Sequence, residues 1–463
     1  MSKMDAWNNS SAWNDSSEAA PGVHVLVRDH AHGRRARPAA RRIPYGISHG
    51  VPHGVPPHGI PPHGEPGSGL LPKWRPSRIG SALALAALVA LAATPPCADA
   101  GPREQAKRMH DRLTGTPPSP ALLDELEVRA QSSLVDTALY IMDRNSDRSR
   151  YFYSVTLKNF ATPWTNRDRS VFAPLNDYTA TVIGMVRDDA DFRGLLFEDV
   201  VYVGTGVSPA YSPADNQHYE AMENNNADLR LVLARTAQSS LGGLPPAATA
   251  GVLTSRAASA AFFTAGTNRA MFRYTLLNHL CRDLEQVQDA TLPPDRIRQD
   301  VTRSPGGDSS VFNNNCIGCH TGMDPMAQAF AYYDFDVIQE RLVYTPGQVQ
   351  PKYLINANNF KPGYVTPDDH WANYWRLYGQ NTLLGWSSGL PGKGAGAKSL
   401  GEELAHSDAF AQCQAEKVFR AVCFRAPSDA ADRSQVNAST AGFKGTGNLK
   451  RVFAETAAYC AGD

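Results

Sequence analysis

Two cysteines three positions apart, with a histidine directly after the second, form the stretch whose spacing dictates the most specific chemistry: Cys316-Ile-Gly-Cys319-His320. On a helix, that spacing brings both sulfurs to one side of a single turn. From there they can form thioether bonds to the two vinyl groups on one edge of a porphyrin. The histidine that follows then offers its imidazole to the iron, which is the arrangement of a c-type haem. At the chain's own Cys and His frequencies the pattern arises by chance only about 0.003 times in this length.

Competing chemistries need partners that the sequence lacks. A structural zinc site needs four ligands, normally in two close pairs. After residue 100 there is no second Cys-x-x-Cys and no His-x₃₋₅-His. A thioredoxin-like dithiol expects a βαβ setting, and no such series is present. A plain disulfide leaves His320 without a role. The expected cofactor is one covalent haem c, held by Cys316 and Cys319, with His320 as the metal ligand.

What occupies the opposite face of the iron decides between electron relay and reaction with a small molecule. No methionine follows Met326, so a downstream Met ligand is ruled out. Met323 and Met326 lie too close to His320 to reach the opposite face and read as packing residues. The remaining distal candidates are His370, in DDHWANYWRLY on an expected short helix, His279, and Met271; an open position is the other possibility.

Four more cysteines follow residue 100: Cys281, Cys413, Cys423 and Cys460. An even number outside a reducing compartment suggests two disulfides. Cys413 and Cys423 lie ten residues apart on one expected helix, about 15 Å along its axis, beyond disulfide reach. If the last two helices form an antiparallel hairpin, Cys413 meets Cys460 and Cys281 meets Cys423. Buried free thiols are the alternative.

The elements that must position these groups read as mainly helical. Ser119 caps a helix that starts at Pro120. Further helical spacing runs through SLVDTALYIMDR, YSVTLKNF, ADLRLVLART and ASAAFFTAGTNRAMFRYTLLNHLC. FEDVVYV is a short strand candidate. Residues 345–398 are loop-rich yet hold eight aromatic residues, Trp371, Trp375 and Trp386 among them. They suggest an insertion that either packs on the rest or forms a mini-core of its own. Ser407 caps a helix on which Ala415, Val418, Phe419 and Val422 share a face. A last helix puts Leu449, Val452, Phe453, Thr456 and Cys460 on one stripe.

The first 100 residues read as an address. Lys73, Arg75 and Arg78 precede the apolar run Ile79 to Ala93, and Ala98-Asp-Ala100 matches a signal-peptidase site. Cleavage is expected after Ala100, with no lipid anchor at Cys97. The preceding leader, with its repeated His-Gly and Pro-Pro-His-Gly, cannot pack a core. It is either a metal-binding tract or sequence upstream of the true translation start. Residues 101–463 carry 35 Lys+Arg against 39 Asp+Glu, so no basic face suggests nucleic acid. They contain no second apolar span, so the mature chain is not expected to span a membrane. The expected location is periplasmic or secreted.

The segment CIGCHTGMDPMAQAFAYYDFD resembles the haem segment of the planctomycete-type cytochrome c proteins, which are large, exported and helical. RLTGTPPSPALLDEL resembles their N-terminal helical module. LAHSDAFAQCQAEKVFRAVCFRAPSD with FKGTGNLKRVFAETAAY resembles their C-terminal one. The likeness runs from Arg112 to Cys460, and residues 341–380 depart from it as an insertion. It implies that Cys316 and Cys319 carry the haem and that His320 is the proximal ligand. The organisation then reads as leader 1–72, signal 73–100, helical module 101–265, haem domain with aromatic insertion 266–398, and C-terminal helical module 399–463. The expected fold is mainly α. The expected role is electron transfer with a redox partner protein. The rivals are a haem oxidoreductase with an open distal site and a binding module with structural haem.

Overall fold

The computed structural model describes residues 100–462 apart from 265, 355–362 and 380. The leader and signal segment lie outside the described residues, up to Ala100 at the expected cleavage site. The described chain is mainly helical, with three two-stranded sheets.

Helix α1, Pro102–Thr114, starts with proline at its first position and ends at Gly115, whose φ of +71° provides the left-handed turn. It buries Met109 and Leu113. Helices α2, Pro120–Ala130, and α3, Leu134–Ile141, are capped by the hydroxyls of Ser119 and Ser133. A π-turn over Phe152–Thr156 leads into α4, Leu157–Ala161. Helix α5, Asp177–Arg187, is buried along its whole length, as an all-round covered central helix must be.

Strand β1, Val201–Gly204, is the FEDVVYV strand; α6, Gln217–Asn224, follows it. ADLRLVLART is not one helix. It gives a single turn and then β2, Leu233–Thr236, antiparallel to β1 with Val201 opposite Thr236. Pairing with the apolar β1 overrides the helical spacing there. The long helical reading of ASAAFFTAGTNRAMFRYTLLNHLC also breaks, into α7, Arg256–Phe262, and α8, Arg269–Thr275, with a π-turn over Leu276–Leu280. The break includes Gly266 and Asn268 at φ of +63° and +59°, a conformation that glycine and asparagine tolerate.

The Cys-x-x-Cys-His segment forms α9, Ile317–Ala327, entered through a third π-turn, Phe312–Cys316. A hairpin follows, β3 Tyr333–Asp336 with β4 Arg341–Tyr344. Asp336 accepts from the backbone N–H groups of Ile338 and Gln339 at its tip, a turn-capping role. His370 is not on a helix: it opens strand β5, His370–Ala372, which pairs with β6, Lys393–Ala395. Between them lies α10, Tyr374–Tyr378. Among the described residues of the aromatic insertion, Trp371, Tyr374, Trp375 and Trp386 join the main apolar cluster rather than a core of their own.

Helix α11, Gly396–Ala405, leads to α12, Asp408–Cys423, capped by Ser407 as its sequence suggests. Helix α13, Ala430–Thr446, comes before α14, Leu449–Cys460. The disulfides are Cys281–Cys413 and Cys423–Cys460, with Cα atoms 5.3 and 5.7 Å apart, and not the pairs expected from a two-helix hairpin. With α13 reversing the chain between them, α14 runs in the same sense as α12, so their C-terminal ends meet.

One apolar cluster extends from Ala106 to Ala461 and takes residues from all three segments, 101–265, 266–398 and 399–463. Ile297, Val301 and Phe312 form a small satellite cluster, against which Cys316 and Ile317 pack. None of the helices among the described residues is long and apolar enough to cross a membrane.

Candidate functional site

The helical repeat sorts α9 into two stripes. Cys319, Met323 and Met326 face the main core, where each is at most 3% exposed. Cys316, His320 and Asp324 follow one another at intervals of four on the adjoining stripe. Two packed neighbours hold α9 in place. The backbone N–H of Asp289 donates to Gly318 O at 2.9 Å, and Thr321 Oγ1 donates to Asp289 O at 2.8 Å. On the other side Gly322 lies under the buried ring of Trp375, which stacks on Phe272. A β-carbon at Gly322 would come within 2.3 Å of that ring, so glycine is what lets the insertion pack on α9. Tyr353, also from the insertion, donates its hydroxyl to Ala327 O at 3.1 Å.

The two cysteines of the motif are free thiols, while the other four among the described residues are paired. Burial pushes the Cys319 thiol up to about 12 and raises that of Cys316 as well. Both are therefore protonated at neutral pH. A redox dithiol or a thiolate metal site calls for the reverse, a depressed thiol.

His320 is fixed by a charged network. Its Nδ1 lies 3.2 Å from Asp324 Oδ1. Arg269 grips the same carboxylate with Nε to Oδ1 at 2.7 Å and Nη2 to Oδ2 at 2.9 Å. Arg269 also donates to both oxygens of Asp300, at 2.6 and 2.9 Å. The backbone N–H of Arg298 donates to Asp324 Oδ2 at 3.3 Å. Burial alone would raise the Asp324 carboxyl, but Arg269, with His320 and Arg298 adding to it, holds it well below the usual carboxylate range. The carboxylate is thus a fixed acceptor. It selects the tautomer with Nδ1 protonated and leaves the Nε2 lone pair outward, with no hydrogen-bond partner among the described residues.

The donor set suits haem better than a bare ion. Among the described residues, no group of three or more His, Cys, Asp or Glu converges where a metal ion could be held. A porphyrin brings four nitrogens of its own and asks the protein for one imidazole and two thiols. Those three groups stand within one helical turn. Cys319 belongs to the main core and Cys316 packs against the satellite cluster, so the thiols border two apolar surfaces. Cys316 is half-buried, and residues 303–311 beside it are largely exposed.

The distal candidates are placed elsewhere. His279 is fully buried, with Nε2 on the Tyr178 hydroxyl at 2.5 Å and its ring stacked on Tyr178 and Phe410. Burial holds its pKa well below the ordinary imidazole value. Met271 is buried in the same core and accepts from Thr275 Oγ1 at 3.9 Å. His370 is 69% exposed, with Nδ1 on Asp368 at 3.0 Å. Among the described residues, no hydrogen bond or ring contact ties any of the three to His320. A surface hollow of about 530 Å³, lined by Asp143, Arg144, Asp189, Lys450 and Arg451 among others, shares no residue with α9.

Sequence reasoning found the motif and missed its support. Asp324 stands four residues after His320, a spacing that puts both on one helix face and was available to find it. Arg269 and Asp300 lie 55 and 24 positions before Asp324 and carry no local signal. Comparison with protein-family models, with characterised proteins and with solved structures yields no match.

Proposed function

We propose that the chain is an exported c-type cytochrome, with one haem on Cys316 and Cys319, His320 on the iron, and a role in electron transfer outside the cytoplasm. One observation carries the reading: two thiols in no disulfide, a helical turn apart, followed by an imidazole whose Nδ1 is held by a fixed carboxylate. Bound there, the haem supplies one-electron exchange. The chain's own residues do the rest. The thiols tether one edge of the porphyrin, Asp324 orients His320, and the Arg269 network keeps that orientation constant. A ligand that does not reorient suits a centre that must change charge without changing shape. The exposed stretch before Cys316 offers a redox partner access to the tethered edge. The two disulfides fit an oxidising compartment.

A second reading, a haem oxidoreductase with an open distal position, is favoured by one observation. His279 and Met271 are both sealed into the core, with partners of their own. The spectrum of the ferrous haem protein decides between the two. For a relay it is low-spin and unchanged by carbon monoxide. A high-spin ferrous form that binds carbon monoxide at once assigns the protein to the oxidoreductase class.

A further inference from the structure

We propose that Asp324 is the positioning residue of the haem iron's proximal ligand: it fixes the tautomer and rotation of His320 and, as a fixed negative charge, favours the oxidised iron. The inference rests on the haem reading given above and extends it to a residue that neither the motif nor its resemblance assigns.

An imidazole four residues before a carboxylate on one helix can meet it with either ring nitrogen, or turn away altogether. Here the choice is made by the carboxylate, because the carboxylate cannot move. Asp324 is fully buried on its side chain, and three other N–H donors hold it: Nε and Nη2 of Arg269 and the backbone N–H of Arg298. Arg269 is itself anchored by Asp300, which is 9% exposed on its side chain. Its Oδ1 accepts from Arg269 Nε at 2.7 Å and meets His320 Nδ1 at 3.2 Å. An ordinary helix-surface His–Asp pair has no such backing and samples several rotamers. A hydrogen bond from a ligating imidazole to a carboxylate raises the basicity of the nitrogen on the metal. Asp324 lies 3.2 Å from the ring, whereas Asp300 is linked to it through Arg269 at 2.6 Å and, more loosely, through Arg298 at 3.9 Å.

The test uses the whole mature chain matured with covalent haem, as wild type, Asp324→Asn and Asp300→Asn. The midpoint potential is measured for each after the covalent haem has been verified. Asp324→Asn keeps the shape and removes the charge. It is expected to shift the ferrous-to-ferric ratio at a fixed ambient potential at least tenfold toward ferrous, about 59 mV for one electron. Asp300→Asn leaves His320 on its carboxylate and is expected to shift the ratio less. An Asp324→Asn protein that holds covalent haem at an unchanged potential overturns the inference and leaves the haem reading intact. A wild-type chain that takes no covalent haem overturns both. Should Asp324→Asn fail to fold, the wild type decides through ¹⁵N-histidine NMR of its diamagnetic ferrous form, with carbon monoxide added if that form is high-spin. An Nδ1 proton on His320 protected from solvent exchange supports the inference, and a freely exchanging one contradicts it.

Discussion

Arg269→Gln removes the hub of the buried network and tests whether that network holds α9 in place. In the wild type the guanidinium makes four charge-assisted hydrogen bonds, to carboxylates whose side chains are 0% and 9% exposed. Without it, Asp324 keeps only His320, the Arg298 backbone N–H and the Arg298 guanidinium at 3.9 Å. Removing one partner of a buried pair costs about 3–5 kcal/mol, because a charge is left in the interior uncompensated. Against a total stability of about 5–15 kcal/mol that is a large fraction. Arg451→Gln is the control. Arg451 pairs with Glu455 at the surface with half its side chain exposed, and its loss is expected to cost under about 0.5 kcal/mol.

The pH dependence follows from the same geometry. Asp300 and Asp324 are both held below their ordinary values, so their contribution is fully present above the unfolded carboxyl pKa of about 3.9 and is lost as pH falls through the lower folded values. In Arg269→Gln the carboxylates are raised instead. They take up protons as pH falls from 7 to 4, and the variant recovers stability. The gap between the two proteins therefore narrows over that range. Guanidinium unfolding at several pH values, disulfides intact, measures it. A loss below 1 kcal/mol at pH 7, or a gap independent of pH, refutes the reasoning.

Two further outcomes concern the frame around the site. Gly322→Ala gains about 1 kcal/mol of helix propensity but drives a methyl group into the Trp375 ring, at a cost of about 1–3 kcal/mol. A net loss of stability with a changed near-UV spectrum is expected, whereas Gly445→Ala, with open space around it, is expected to be neutral or stabilising. Peptide mapping without reduction should recover Cys281 with Cys413 and Cys423 with Cys460. Replacing Cys423 and Cys460 by alanine should lower the unfolding free energy by about 4 kcal/mol, from releasing a loop with a sequence separation of 37.

Local rules were enough where local chemistry decides. Ser119 and Ser407 cap as their positions suggest, and the stripes of α12 and α14 are buried as their spacing requires. What escaped depends on distant partners. Helix α13 went unseen because its buried apolar residues are only Val436 and Phe443, amid serine, threonine and glycine. Missing it reversed the direction of α14 and so mispaired the cysteines. His370 reads as helical beside Trp371 and Trp375, yet β6 from 23 residues later draws it into a sheet. At the site, the order Cys316, Cys319, His320 was legible because one helical turn sets it. The clamp on His320 was not, since α8 and the loop at Asp300 reach it through tertiary packing.

The central claim is most directly tested by asking whether haem is bonded to the chain. The mature protein is expressed with a c-haem maturation system, denatured and extracted with acid acetone. One haem per chain is expected to stay with the polypeptide, carried on the peptide containing Cys316 and Cys319, and to be absent from the Cys316→Ser, Cys319→Ser double variant. A native wild-type protein recovered without covalent haem, or one that retains it in the double variant, would contradict the account.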